Sequence, residues 1–250
     1  MIVDSPRARG KALPPAVAVA IVAAALAGVL LAQEPLAPAP IPMEPELAAA
    51  IQRFDGAQDK IQRISAHFKE VKTIALLKEP VIQTGEFYHT KPDKFLWEYK
   101  TPTEKVLVLD ARGVMAYYPN EKRAEEIKTR FGKKIVKYLG LGSVLEDLAG
   151  EYEMSISHDN KIAGTDLLVL KPKGRRIQKR LAEIRIWLDR GVNQPRAIEY
   201  VEADGDRTHL DFDQIVINPE IAVSKYEIKL PDDVTVTNTL TGFFGGGSSR

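Results

Sequence analysis

The sequence predicts a mainly β protein with some α, an antiparallel meander of about eleven short strands interrupted by short helices. Three observations carry that prediction. Apolar and polar residues alternate with the period of a strand over many short segments. Turn signatures such as "KPD", "TPTE", "DARG", "PNEK" and "EADGD" separate those segments at steps of about 8–12 residues. The links are mostly too short for anything but antiparallel neighbours.

Taken in order, the elements begin after an N-terminal address. Arg7, Arg9 and Lys11 precede an uncharged apolar run from Ala16 to Ala32, so residues 1–32 read as a secretory signal peptide. The run sits at the lower edge of bilayer-spanning length, and the alternative of an uncleaved anchor stays open. Residues 33–45 hold five prolines and read as an extended linker. One domain follows over 46–240. Leu47, Ile51 and Phe54, then Ile61, Ile64 and Phe68, recur at helical spacing, which predicts one or two helices over 46–64. The period then changes to two. Strands are predicted at 66–76, 81–90, 94–100, 105–110, 114–118, 152–158, 165–171, 182–189, 196–203, 207–217 and 223–230. The stretch 133–149, "KKIVKYLGLGSVLEDLA", departs from the meander and predicts helices broken at "GLGS". Residues 241–250, "TGFFGGGSSR", read as a flexible tail, with packing of Phe243 and Phe244 left open.

Composition narrows the function. The 250 residues are 44% hydrophobic and 28% charged, enough for one domain with a sizeable core. The formal net charge of +1 leaves no global basic field for nucleic acid. The chain has no cysteine, which excludes disulfides, thiolate metal sites and a cysteine nucleophile. His67, His89, His158 and His209 have no metal-ligand spacing, and the serines sit in no nucleophile-elbow context. "HLDFD" places His209, Asp211 and Asp213 on one strand face, where a solvated polar face outweighs a surface metal site. Neither an enzyme, a metal site nor a cofactor is expected. The run Lys171 to Arg180 carries six basic residues and no acid, and reads as a solvated hairpin or as a docking patch for an anionic partner.

The aromatic residues are concentrated. In "TGEFYHTKPDKFLWEYKTP", Phe95, Trp97 and Tyr99 point one way and Lys94, Leu96, Glu98 and Lys100 the other. Such a face is either a core packed by neighbouring strands or the wall of an apolar hollow. Periodicity alone does not separate the two.

The segment "GEFYHTKPDKFLWEYKTPTEKVLVLDARGVMAYYPNEKRAEE" closely resembles the periplasmic outer-membrane lipoprotein carrier (LolA-like) family, through Gly85, Phe87, Pro92, Phe95, Trp97, Pro102, Asp110, Gly113, Tyr117 and Pro119. A weaker likeness extends over roughly 46–237. The resemblance implies an open antiparallel half-barrel covered by helices, with an apolar hollow that carries lipoprotein acyl chains across the periplasm. It implies an inner-membrane donor complex and an outer-membrane acceptor, and a monomer. In that family a basic residue, normally arginine, directly precedes the motif proline and holds the lid. Here it is Lys91, a point charge rather than a planar fork, which implies a looser lid. The family's Asp-Gly turn is split here into "DARG", which implies a longer hairpin.

On this reading the hollow is lined by Phe68, Phe87, Phe95, Trp97, Tyr99, Val106, Val108, Met115 and Tyr117, with Phe95 the strongest single choice. The lid contains Lys91, Leu139, Leu141, Leu145 and Leu148, these leucines being either lid or plain core. Two related functions stay open: carriage of another lipid, such as a glycolipid or polyisoprenoid, and an envelope-stress sensor or scaffold of the same fold.

Overall fold

Helix α1 (Pro45–Gln58) starts with proline in its first turn, where the missing N–H has no intrahelical partner to lose. Its stripe of Leu47, Ala50, Ile51 and Phe54 is buried. The helix ends four residues before the first strand, so Ile61 and Ile64 belong to the entry of the sheet rather than to a second helix. The computed structural model describes residues 44–75, 77–128 and 145–238, with nothing stated for the side chains of 146 and 147. The signal segment 1–32, nearly all of the linker 33–45, residues 133–144 with Leu139 and Leu141, and the tail with Phe243 and Phe244 lie outside the described residues.

The strands are β1 (Arg63–Thr73), β2 (Val81–Thr90), β3 (Lys94–Thr101), β4 (Lys105–Asp110), β5 (Gly113–Tyr118), β6 (Arg123–Lys128), β7 (Tyr152–Ser157), β8 (Thr165–Pro172), β9 (Leu181–Asp189), β10 (Pro195–Glu202), β11 (Arg207–Ile217) and β12 (Thr235–Thr237). A four-residue helix, α2 (Arg175–Gln178), links β8 to β9. All twelve strands form one sheet in the order β12-β6-β5-β4-β3-β2-β1-β11-β10-β9-β8-β7. Two meanders, β1–β6 and β7–β11, are thus joined through the antiparallel pair β1 and β11. Among the described residues the edges β7 and β12 do not pair with each other, so the sheet is open, and β12 alone runs parallel to its neighbour, β6.

Ten of the predicted segments are strands. The exceptions have physical causes. "RAEEIK" forms β6 although it is charged, because Arg123 and Glu125 are ion-paired with each other. The stretch 223–230 is a 3-10 turn (Val223–Tyr226) followed by extended chain that joins no ladder. Its alternation arises because Tyr226 and Ile228 pack onto the outer face of the sheet against Leu96 and Val108. Thr90 and Tyr226 share a hydroxyl hydrogen bond of 2.7 Å, and Lys225 pairs with Glu98 at 2.9 Å, which hold that segment down. The "DARG" hairpin closes tightly: Asp110 pairs with Gly113 across two residues, and Asp110 accepts a hydrogen bond from the Arg112 backbone N–H at 2.8 Å.

The sheet is strongly curled. Five strand spacings separate β2 from β8, roughly 24 Å in a flat sheet. Yet one helix bridges them. The Arg53 guanidinium is paired with Asp166 at the start of β8, and the Lys91 ammonium at the β2–β3 turn donates to the Gln58 carbonyl. Those two helix residues lie only about 7.5 Å apart along the axis. A sheet that both can reach must wrap around the helix, making a half-barrel with α1 across one end.

Candidate functional site

The inner face is set by register. On β1, Ile64, Ala66 and Phe68 are inside, and their partners on β2 are His89, Phe87 and Gly85. These face Phe95, Trp97 and Tyr99 on β3. The aromatics form one connected array: Phe68–Tyr99 at 4.9 Å, Phe87–Trp97 at 5.1 Å, Phe87–Phe212 at 6.0 Å and Phe95–Trp97 at 6.1 Å between centroids. Phe68, Phe87, Phe95, Trp97 and Tyr99 are therefore brought together on one wall.

Val106, Val108, Met115 and Tyr117 are not on that wall, which corrects the expected lining. Cross-strand pairing puts Leu107 and Leu109 opposite Trp97 and Phe95, and Ala116 and Val114 opposite those leucines. The inner residues of β4 and β5 are thus Leu107, Leu109, Val114, Ala116 and Tyr118. Val106 and Val108 pack on the outer face with Leu96 and Tyr226. Val108 and Met115 border an outer groove of about 600 Å³ that also contains Asp110, Arg112, Glu126 and Lys128. Its charged, open rim does not suit an acyl chain.

The opposite wall was missing from the sequence expectation. It consists of Leu168 and Leu170 on β8, Ile184, Ile186 and Leu188 on β9, and Ile198 on β10. Phe212 on β11 joins it to the aromatic wall. The alternation of Ile184, Ile186 and Leu188 in "LAEIRIWLD" is the signal that marks it.

The roof is made of side chains from α1 and from a 3-10 turn (Leu145–Leu148). Asp55 caps that turn by accepting the Leu145 backbone N–H at 2.7 Å. Leu145 and Leu148, buried, press with Phe54 on a cavity of about 20 Å³ whose walls include Leu170, Ile184, Ile186 and Ile198. That is room for about one water. Among the described residues the interior is filled at this end, and Leu47, Ala50, Ile51, Phe54, Leu145 and Leu148 contribute to the filling from outside the sheet. Lys91, which the sequence singled out, sits where it ties the C-terminal end of α1 to the β2–β3 turn.

The far end of the interior is polar. Glu70 and Lys72 on β1, Gln83 on β2, Lys105 on β4 and Thr208 on β11 are all buried. Glu70 accepts hydrogen bonds from Gln83 at 2.9 Å and from the Tyr99 hydroxyl at 3.2 Å, and pairs with Lys72 at 3.3 Å. The Lys105 ammonium lies 3.8 Å from the Tyr99 ring centre. Burial, then the Lys72 charge, push the Lys105 ammonium down to about 8, against the opposing pull of Glu70. Burial and Glu70 hold the Tyr99 hydroxyl protonated well above its usual range.

His89 was not singled out by spacing, yet it is inside the aromatic wall. It stacks on Phe95 at 4.1 Å and its Nδ1 bonds the Lys94 carbonyl at 3.0 Å. Burial lowers it from 6.5 to about 4. Between those values the unfolded chain binds the proton and the folded one does not, so folding stability falls as pH drops from 6.5 toward 4. Glu202, raised by burial to about 7, acts in the opposite sense over part of that window. The variant isolates the histidine: His89→Phe is expected to lose about 3 kcal/mol less than the wild type between pH 7 and pH 4 in urea titrations. Equal losses in the two proteins would refute this. On the outer face, His209 is engaged by Glu199 at 3.5 Å and Asp211 at 3.1 Å, which hold its imidazole above the usual value.

An open, mainly antiparallel half-barrel wound around a largely apolar interior, roofed by a helix and a short turn, defines the class of protein: the half-barrel architecture in which one curled sheet and a helical cover enclose an interior. Within that class the chain belongs to the outer membrane lipoprotein carrier protein LolA family, whose model matches residues 59–229. It is 25% identical over 199 residues to an outer-membrane lipoprotein carrier protein of Bordetella avium (strain 197N), covering 76% of this chain and 91% of that one. It is 23% identical over 186 residues to the like-named protein of Pseudomonas entomophila (strain L48), covering 74% of this chain and 86% of that one. In fold it is similar to an uncharacterized conserved protein from Thermus thermophilus, with a TM-score of 0.51, 10% identity and coverage of 77% of this chain and 99% of the other.

Proposed function

We propose that the protein is a periplasmic carrier that shields the acyl chains of lipoproteins and delivers them from an inner-membrane donor to an outer-membrane acceptor, acting as a monomer and without catalysis. The observation that carries this reading is the roof. The apolar interior is closed over the aliphatic wall of β8–β10 by Phe54, Leu145 and Leu148, whose elements, α1 and the 3-10 turn, form no ladder with the sheet. Withdrawing them exposes a compartment of the chemistry an acyl chain needs.

The energetics explain why a plug serves a carrier. Each buried CH₂ contributes about 0.8 kcal/mol, so a sixteen-carbon chain gains roughly 12 kcal/mol, near nanomolar affinity. Several chains buried in a preformed cavity would approach the ceiling of about 18–21 kcal/mol for any non-covalent complex and would never leave. A plug that must be displaced offsets part of that gain and keeps release within reach.

Native mass spectrometry of the full chain purified from a bacterial envelope, followed by extraction, tests the reading. A bound triacylated lipoprotein is the expected result; a free glycolipid would replace the cargo assignment. The Lys91 tie supplies a second expectation. A charge-assisted hydrogen bond holds roughly 1.5 kcal/mol or more, so Lys91→Ala should speed acyl exchange about tenfold. Lys91→Arg should slow it, because a planar fork offers more donors than an ammonium to the Gln58 carbonyl and its neighbours at the helix end. Stopped-flow displacement of a fluorescent acyl probe reads both, and unchanged rates in both variants would remove Lys91 from the lid.

A further inference from the structure

The interior runs from rings to ions, and the change falls within one strand. Along β1 the inward residues are Ile64, Ala66, Phe68, then Glu70 and Lys72. The apolar part lies at the end crossed by α1, which is anchored at the β2–β3 turn and at the start of β8. The ionic part lies at the opposite end, where β1 finishes and β2 and β4 begin. We infer that the layer of Glu70, Lys72, Gln83, Lys105 and Thr208 is the floor of the acyl-chain compartment and limits the length of chain the protein accepts. This rests on the carrier reading.

The geometry distinguishes a floor from a receptor for a polar head. Glu70 is already engaged by three partners, Gln83 at 2.9 Å, Tyr99 at 3.2 Å and Lys72 at 3.3 Å. Glu70, Lys72 and Gln83 expose 2%, 4% and 4% of their surfaces, so water does not replace any partner that is pulled away. A methyl terminus pushed into this layer separates charges and hydrogen-bonding groups and offers them nothing in return. Above the layer the same terminus meets Phe68, whose ring lies against Gly85 and Tyr99. A chain entering past α1 therefore advances until it reaches that aromatic rung and stops there.

The test uses the full chain, delipidated and titrated with a homologous series of saturated monoacylglycerols, whose neutral head avoids charge pairing. Native mass spectrometry should show affinity rising roughly fourfold per added CH₂ up to a limiting length and no further. In Glu70→Leu/Lys72→Met/Gln83→Leu the limit should move by about five carbons. One inward step along a strand is roughly 6.6 Å, and an extended chain advances about 1.2 Å per bond. No binding at any length would overturn the carrier reading and the floor together. Binding with an unmoved limit would overturn the floor alone. So would a folded triple variant that loses affinity at every length, since the layer would then be a head-group site. The wild type gives an independent reading if the variant does not fold. A monoacylglycerol bearing a diazirine on its terminal carbon should label Phe68, Gly85 or Tyr99, and labelling of Lys72 or Thr208 instead would refute the floor.

Discussion

Gly85→Ala is expected to cost about 4 kcal/mol or more, among the largest effects a single methyl group produces. A Cβ at position 85 would lie 2.1 Å from the Glu98 carbonyl oxygen and 2.8 Å from Phe68 Cζ. The first of these is backbone on the neighbouring strand. It cannot rotate away, so β2 and β3 must part at the point where Gly85 pairs with Tyr99. The register between the strands shifts between Thr84 and Gly85, so the close approach falls beside an irregularity in the ladder. The second contact is the Phe68 ring, which covers the glycine and completes the face a side chain would otherwise fill. Displacing it also disturbs Tyr99, 4.9 Å away. For an ordered domain of this size the expected fall in Tm is roughly 8–16 °C. Gly56 supplies the control. It lies within α1, and a Cβ there meets nothing within 4 Å. Gly56→Ala should therefore stabilise by up to about 1 kcal/mol, through helix propensity alone. Calorimetry of the two variants side by side should move the midpoints in opposite directions. A Gly85→Ala protein that melts with the wild type would contradict the close approach of β2 and β3.

Part of this wall was legible in the sequence, because β3 alternates cleanly. Phe95, Trp97 and Tyr99 share a parity, and lysine or glutamate occupies most of the other. The next two strands were misread by one residue for a physical reason. "KVLVLD" and "GVMAYY" are apolar at both parities, since the inner face meets the core and the outer face is covered by Tyr226 and its neighbours. Only register chooses between the two, and register pairs Tyr99 with Lys105. A lysine thus opens the inward parity of β4, which pattern reading assigns to solvent. Charge also hid β6, whose Arg123 and Glu125 look like surface residues and yet Glu125, opposite Ala116, is 1% exposed. Inward-facing charge thus contributes to both errors, beside the outer apolar cover of β4 and β5. Charges recruited to one end of an interior erase the very alternation from which an interior is recognised.

The roof residues pose the remaining question, whether Leu145 and Leu148 are core or plug, and one substitution answers it. Leu148→Ala should weaken the closed form by about 2–5 kcal/mol, as for any buried leucine cut back to alanine. If Leu148 is core, the loss is shared by empty and loaded protein alike, and acyl affinity stays put. If it is a plug, only the empty protein holds the leucine against the cavity bounded by Ile184, Ile186 and Ile198, and loading expels it. The loss then falls on the competitor of the ligand. Weakening the closed state by even 2 kcal/mol raises the apparent affinity about 30-fold, because a larger share of the protein is already competent to bind. The expected result is a protein that unfolds sooner and binds acyl chains more tightly. Those two changes have opposite signs, which no generally damaged core produces. Denaturant titration and displacement of a fluorescent acyl probe, run on the same preparation, read them together. Reduced stability with unchanged or weaker binding would return both leucines to the core and leave Phe54 and the rest of α1 as the whole of the cover.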